Sequence, residues 1–110
     1  MIADLVVKEK LVTLEESVRK MSLLAARTVG FGADRGSLEP GRAADIAIFD
    51  PAAITDTASF ERPHVVAQGM STVIVNGQIA YRDGRPTHAR AGRALKRLDA
   101  PGATNPRRAP

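Results

Sequence analysis

An Asn-Gly pair at positions 76–77 constrains the fold of this 110-residue chain more than any other local feature. Both central residues of a type I′ turn need a positive φ, and Asn-Gly is the pair that most strongly favours it. The β-branched run 71–75 precedes the pair, and residues 78–81 follow it. The pattern predicts two antiparallel strands joined by a two-residue turn, with another turn at residues 83–84.

A further strand is predicted over residues 45–49. Pro40 fixes φ at the first central position of a turn, and Gly41 permits the positive φ that a type II turn needs at the second. The residues that follow are apolar on both faces, which predicts a strand buried on both sides. Pro51 ends this strand, and residues 52–69 are predicted to form a loop because they show no regular pattern.

A helix is predicted over residues 14–28. Thr13 and Glu16 match a capping box, in which the Thr13 hydroxyl accepts from the Glu16 amide and the Glu16 carboxylate accepts from the Thr13 amide. Gly30 and Gly32 are predicted to end the helix. One stripe of apolar residues follows the helical period: Leu14, Val18, Met21 and Ala25.

These elements make one helix and three or four strands, and residues 1–11 fit either another helix or a helix end. Aromatic residues make up only 4% of the chain, so its core must be aliphatic. A small antiparallel sheet with one helix is marginally stable by itself, and its edge strands present unpaired backbone groups. The sequence therefore predicts part of a larger structure.

The charge is concentrated at one end of the chain. Residues 82–110 contain eight basic and two acidic side chains, whereas residues 1–81 contain eight basic and ten acidic ones. A basic tail can bind nucleic acid, but here no aromatic residues are interleaved for base stacking, so we expect a solvated tail and no nucleic-acid partner. Residues 98–110, rich in Pro and Gly, are expected to be disordered.

Two composition features bear on the location of the chain. No apolar run approaches the roughly 18 residues that a membrane span requires, so no membrane partner is expected. The chain has no cysteine, which excludes disulfides and thiolate metal sites and agrees with a cytoplasmic location.

One segment resembles a known family. Residues 36–50, which read G-x-L-x-P-G-x-x-A-D-I-x-x-F-D, resemble the C-terminal part of metal-dependent amidohydrolases. Further segments, in this order and spacing, resemble the end of N-acyl-D-amino-acid deacylases (D-aminoacylases): residues 13–27, 63–64, 69–77 and 89–97. Leu24 stands where that family often has proline, so the helix is expected to run on without a break.

The resemblance, which covers about residues 5–97, implies an α+β fragment. Such enzymes join a TIM-barrel catalytic domain to a small composite β-sandwich built from both chain ends. By this resemblance, residues 1–30 are the C-terminal helical end of the barrel, including its last helix. Residues 31–97 supply strands of the sandwich, and residues 98–110 form the basic tail. A barrel domain or a homo-oligomer partner is expected to cover the open sheet edges.

The resemblance also implies an activity for the parent enzyme. Family members hydrolyse the amide bond of N-acyl-D-amino acids, with zinc held by a His-x-His pair and other ligands, none of which matches this chain. We therefore expect a structural segment that binds no zinc and supplies no catalytic residue. The alternative is a non-enzymatic β-rich module that completes the sheet of a partner or self-associates.

Some candidate ligands remain in the sequence. A catalytic zinc needs three protein ligands, and the candidates for such a set are His64, His88, Asp45, Asp50 and Asp56. The simpler interpretation makes His64 a hydrogen-bonding residue of a loop and His88 an exposed side chain.

Two aspartates are candidates for a catalytic role. Asp45 is either a general base or an acceptor for turn amides next to Gly41. Asp4 would correspond to the last-strand aspartate of the family, but its distance from the helix and its neighbours do not match, so no catalytic role is predicted.

Overall fold

The structure is a computed structural model that describes residues 2–96, with the side chains of all of these except residues 3–5. The tail predicted over residues 98–110 lies outside the described residues. The chain begins with a π-helical segment, Ile2–Lys8. This segment accounts for the ambiguous apolar pattern before residue 11, and it packs on the helix that follows.

The predicted helix over residues 14–28 is confirmed. It consists of α1 (Leu14–Arg19), a π-helical turn (Lys20–Leu24) and α2 (Ala25–Val29). Leu24 has φ −64° and ψ −44°, so the helical backbone runs through the position where the deacylases often have proline. In the π-helical turn, the Ser22 hydroxyl donates to the carbonyl of Val18 at 2.6 Å, a side-chain bond of the kind that perturbs helical geometry.

The capping box is only half formed. The Thr13 hydroxyl accepts from the Glu16 amide at 3.2 Å, as predicted. The Glu16 carboxylate, however, accepts two hydrogen bonds from Arg19, at 2.7 and 2.9 Å. The predicted return bond to the Thr13 amide is therefore wrong, because a charged partner one turn away binds the carboxylate more strongly than a neutral amide does.

Gly30 ends the helix, and Gly32 has a different role from the one predicted. Gly30 adopts φ +91°, and the Phe31 amide donates to the carbonyl of Ala26 at 2.8 Å, which is the Schellman pattern. Gly32 has no positive φ. A Cβ there would lie 2.9 Å from the Cα of Arg27, so Gly32 permits a close approach of the chain rather than ending the helix.

The strands form one antiparallel sheet in sequence order. A hairpin forms at the predicted turn, where Asn76 has φ 47° and Gly77 has φ 79°. The next turn likewise has positive φ at Asp83 and Gly84. The strands are β1 (Ile46–Phe49), β2 (Met70–Val75), β3 (Gln78–Arg82) and β4 (Arg85–Pro86).

The predicted burial of β1 on both faces is wrong for the described residues. Ile46 and Phe49 are half-buried, whereas Ala47 and Ile48 are exposed. β1 is an edge strand that pairs only with β2 within residues 2–96, and the exposed fraction of Ile48 is 49%. The apolar pattern is real, but the described chain supplies nothing to cover one side of it.

Two glycines allow loops to cross regular elements. Gly36 has φ +91°, and a Cβ there would lie 2.9 Å from the Cα of Leu23, so the loop between α2 and β1 runs directly over the helix. Gly69 has φ +93°, and a Cβ there would lie 2.4 Å from the Cα of Ile54. The loop over residues 52–69 is irregular, as predicted, apart from one bridge between Thr55 and Gln68.

In the described part of the chain, no helix has both the length and the apolar character that a membrane crossing would require.

Candidate functional site

A polar cluster at the tip of the β2–β3 hairpin is the most organised group of charged side chains. Its centre is Arg35, whose side chain is only 11% exposed and donates to a carboxylate oxygen of Asp45. The other carboxylate oxygen of Asp45 accepts from the backbone amide of Asn76 at 2.8 Å. The pair thus joins the loop after α2, the start of β1 and the hairpin turn.

This arrangement corrects the predicted role of Asp45. The residue does accept from a turn amide, but the turn is the hairpin at Asn76 and not the one next to Gly41. The reason is the sheet register, since Ile46 pairs with Ile74 and this pairing places Asp45 beside the hairpin tip. With both carboxylate oxygens occupied by structural partners, Asp45 is not placed to act as a general base.

Asn76 extends the cluster to the end of the described chain. Its side-chain amide donates to the carbonyl of Ala91 at 2.6 Å, and its carbonyl oxygen lies 3.4 Å from Arg35. Thr87 makes a second attachment, because its hydroxyl donates to the carbonyl of Ile79 at 2.6 Å. The segment after β4 is therefore held against the hairpin at two points.

An open cavity of about 460 Å³ adjoins the cluster. Arg35 and Arg42 both line it, but Arg35 is paired with Asp45, and Arg42 binds Glu39 at 3.1 Å and the carbonyl of Gly32 at 2.6 Å. Because these two cations already have carboxylate partners, neither is free to bind an anion in the cavity. Its full lining is Asp34, Arg35, Gly41, Arg42, Ala43, Ala44, Asn76 and Arg93.

The candidate metal ligands are not brought together. His64 and His88 are exposed in separate loops. Asp50 accepts from the amide of Ala52 at 2.9 Å. Asp56 accepts in the same way from the amide of Ala58, at 3.0 Å. Both aspartates therefore stabilise local turns.

Within residues 2–96, no group of three or more His, Cys, Asp or Glu residues is arranged to hold a metal ion. The donor set of these residues therefore does not fit a zinc site. The side chain of Asp4 lies outside the described residues, so its predicted lack of a catalytic role stays a prediction.

The larger feature of the surface is apolar. A groove of about 440 Å³ separates the helix from β1, with Val18 on one wall and Ile46 and Phe49 on the other. The predicted helix stripe is present, but Met21 remains 53% exposed. The other large apolar side chains that stay exposed in the described part of the chain include Val7, Leu11, Leu24, Val29, Leu38, Ile48, Phe60 and Val66.

Burial inside the described part of the chain is correspondingly slight. Ile2 is its only buried apolar residue, and Ser17, with no exposed surface, is its only buried polar one. The described residues therefore enclose little core of their own and leave apolar faces of the helix and β1 exposed.

The comparisons with known proteins place the chain in a family. Residues 3–81 match the amidohydrolase family, and the chain belongs to it. The helix followed by an antiparallel sheet is the part of the family fold that this chain contains.

Particular relatives narrow the resemblance to deacylases. The chain is 41% identical over 93 residues to N-acyl-D-aspartate deacylase from Alcaligenes xylosoxydans xylosoxydans, a match that covers 84% of this chain and 18% of that enzyme. It superimposes on a crystal structure of D-aminoacylase with a TM-score of 0.79 and 39% identity, covering 86% of this chain and 20% of that one.

A second structure carries a metal. The match to N-acyl-D-glutamate deacylase from Bordetella bronchiseptica, solved with zinc and a phosphonate mimic of the tetrahedral intermediate, has a TM-score of 0.69 and 39% identity. It covers 77% of this chain and 19% of that one. The chain thus spans about a fifth of the length of the relatives it matches.

Proposed function

We propose that the chain is the C-terminal segment of an amidohydrolase that hydrolyses the amide bond of N-acyl-D-amino acids, and that the segment is structural and lacks the catalytic centre. Residues 1–30 then correspond to the C-terminal helical end of the barrel and residues 31–97 to strands of the composite sandwich. The similarity to three deacylases over about a fifth of their length supports the first part of the proposal, that the parent enzyme is an amidohydrolase of this kind.

One observation supports the structural role. The apolar faces of the segment are exposed, whereas several of its carboxylates are already hydrogen-bonded to backbone amides of the same segment. The helix stripe and β1 leave a groove with apolar walls, lined by residues such as Val18 and Phe49. The carboxylates of Asp45 and Asp50, in contrast, each bind backbone amides nearby. A segment of this kind contributes packing, while zinc and its ligands belong to the rest of the parent enzyme.

Two assays test this proposal. The first measures release of D-aspartate from N-acetyl-D-aspartate by the purified chain with added zinc, and we expect no turnover above buffer. The second uses a grafted enzyme, in which this chain replaces the matching 93 residues of the Alcaligenes N-acyl-D-aspartate deacylase. We expect the grafted enzyme to fold and hydrolyse the substrate.

The two assays fail in distinguishable ways. Turnover by the chain alone would contradict the claim that the segment lacks a catalytic centre. A grafted enzyme that is soluble and loaded with zinc but inactive would contradict the claim that this segment is equivalent to the matching part of the deacylases. The matched control is the parent deacylase, expressed and assayed in parallel.

The open edge of β1 favours a second candidate, a non-enzymatic module that completes the sheet of a partner or self-associates. The four residues of β1 carry no charge and no proline, the usual devices that protect an edge strand. Under this proposal the purified chain forms a defined oligomer in light scattering after size exclusion. A monodisperse monomer at all concentrations would contradict it.

A further inference from the structure

The Asn76-Gly77 turn has the residue types that undergo deamidation, a reaction unrelated to the role of the turn in packing. The backbone nitrogen of Gly77, once deprotonated, can attack the side-chain carbonyl carbon of Asn76. A C–N bond forms, the amide nitrogen of Asn76 leaves as ammonia, and a five-membered succinimide results. Water then opens the ring to aspartate or isoaspartate. Glycine favours the attack because it has no side chain to hinder it, and no oxidant or reductant is needed.

The fold holds both reacting groups away from this reaction. The Gly77 amide donates to the carbonyl of Ala44 at 3.0 Å, which keeps the nucleophile protonated and pointed elsewhere. The leaving amide of Asn76 donates to the carbonyl of Ala91 at 2.6 Å. The Asn76 backbone amide is held by Asp45 at 2.8 Å, so rotation of the turn breaks several hydrogen bonds at once.

We propose that Asn76 is a modification site that deamidates when the hairpin tip opens, and that its conversion releases residues 90–93 from the hairpin. One contact acts in the opposite sense, since Arg35 lies 3.4 Å from the Asn76 side-chain oxygen and polarises that carbonyl. It is the longest contact of the group, and the shorter bonds at the Gly77 and Asn76 nitrogens oppose the reaction.

The release follows from the change in hydrogen-bonding chemistry. An asparagine donates to the carbonyl of Ala91, whereas a carboxylate only accepts, so the contact becomes repulsive. An isoaspartate product also inserts an extra backbone carbon into a turn whose φ values are fixed by the flanking strands. Thr87 keeps its bonds to Ile79 and Ala80, and its hydroxyl still accepts from the Ala89 amide at 3.2 Å, so the detachment begins at Arg90.

A urea series tests the protection. The full chain is incubated at constant pH over the series, and aspartate and isoaspartate at position 76 are quantified by peptide mass spectrometry, with circular dichroism in parallel. We expect conversion to be at least about tenfold slower without urea than in the unfolded chain, because reaction requires opening of the tip. Asn105 is the internal control, because Pro106 has no N–H to provide the nucleophile. Equal rates at every urea concentration would overturn the proposal.

Two variants test the role of the surrounding cluster. Asp45→Ala removes the hold on the Asn76 amide and is expected to raise the native conversion rate several-fold. Asp50→Ala removes a similar aspartate–amide bond away from the hairpin, at Ala52, and is expected to leave the rate unchanged. A native rate in Asp45→Ala equal to that of the unmodified chain would show that the cluster does not protect Asn76.

The release is tested with Asn76→Asp. We expect trypsin to cleave this variant after Arg90 and Arg93 several-fold faster than the unmodified chain. Cleavage after the mostly buried Arg42 is the control for global unfolding and should not accelerate. Unchanged cleavage at Arg90 and Arg93 would overturn the claim that conversion detaches the segment.

Discussion

At the scale of single residues, Asp45 links the loop after α2, the start of β1 and the hairpin turn through its two carboxylate oxygens. Its loss leaves Arg35, which is mostly buried, without its main counterion and the Asn76 amide without an acceptor. Asp45→Ala is therefore expected to lower the free energy of unfolding by about 2 kcal/mol. Urea denaturation measures this change, and Asp50→Ala, which removes one exposed turn bond, should cost less than about 1 kcal/mol. Equal losses in the two variants would contradict the special role of the cluster.

Glu16 gives the helix a pH dependence. Its hydrogen bond from Arg19 lowers the pKa of the carboxyl below its ordinary value. The stabilisation that the Glu16–Arg19 pair gives the helix is therefore fully present above the pKa of Glu16 in the unfolded chain. It is lost as the pH falls through the lower pKa of Glu16 in the folded chain. Acid titration followed by circular dichroism should show helix content falling in that range, and Glu16→Gln should flatten this part of the curve. Glu15→Gln is the control. An unchanged curve in Glu16→Gln would contradict a stabilising role of the Glu16–Arg19 pair.

The residue scale also shows what the sequence could not provide. That Asp45 accepts from a turn amide could be predicted, because aspartate does so in many turns. Its partner could not be identified, because Asn76 lies 31 positions away and only the pairing of β1 with β2 brings the two together. Arg35 was missed for the same reason, since nothing near it in sequence distinguishes it from a solvated arginine.

At the scale of elements, the contact between the helix and the loop over it depends on Gly36. Gly36→Ala is expected to destabilise the chain by about 3 kcal/mol, because a Cβ would lie 2.9 Å from both the Cα of Leu23 and the Cβ of Ala26 at an unfavourable φ. Gly41→Ala is the matched control: φ is +85°, but nothing lies within 4 Å, so about 1 kcal/mol is expected. Thermal and urea denaturation of the two variants measure the difference, and equal losses would show that the close approach is unimportant.

Local signals predicted the elements well. The helix cap at Thr13, the stop at Gly30 and the hairpin at Asn76 all formed because each depends on the conformational preferences of neighbouring residues. The π-helical turn at residues 20–24 was not predicted, because an apolar stripe at helical spacing does not report whether one turn is widened.

At the scale of the whole molecule, the main feature is that the apolar faces of α1 and β1 are exposed. The patterns of α1 and β1 predicted apolar faces correctly, but they could not show what would cover those faces. Periodicity reports which side of an element is apolar. It contains no information about whether the covering surface lies in the same segment, elsewhere in a longer chain or in a partner.

A charge introduced on β1 tests whether the apolar face of this strand is buried in a larger structure. Ile48→Lys is expected to change the stability of the isolated chain by less than about 0.5 kcal/mol, because half of the side chain is already exposed. In the grafted enzyme the same change should cost about 3 kcal/mol, since the charge would be buried without a partner. Urea denaturation of both proteins makes the comparison, with Gln78→Lys, which adds a charge at an exposed position of β3, as the control. Equal effects would contradict burial of β1.

Amide hydrogen exchange at β1 is the most direct test that the cover of this strand comes from outside the described segment. The measurement compares the backbone amides of Ile46–Phe49 in the isolated chain with the same amides in the grafted enzyme. We expect exchange to be at least about tenfold slower in the grafted enzyme, where the strand is covered. Equally strong protection in the isolated chain would contradict it, because the segment would then stabilise this strand by itself.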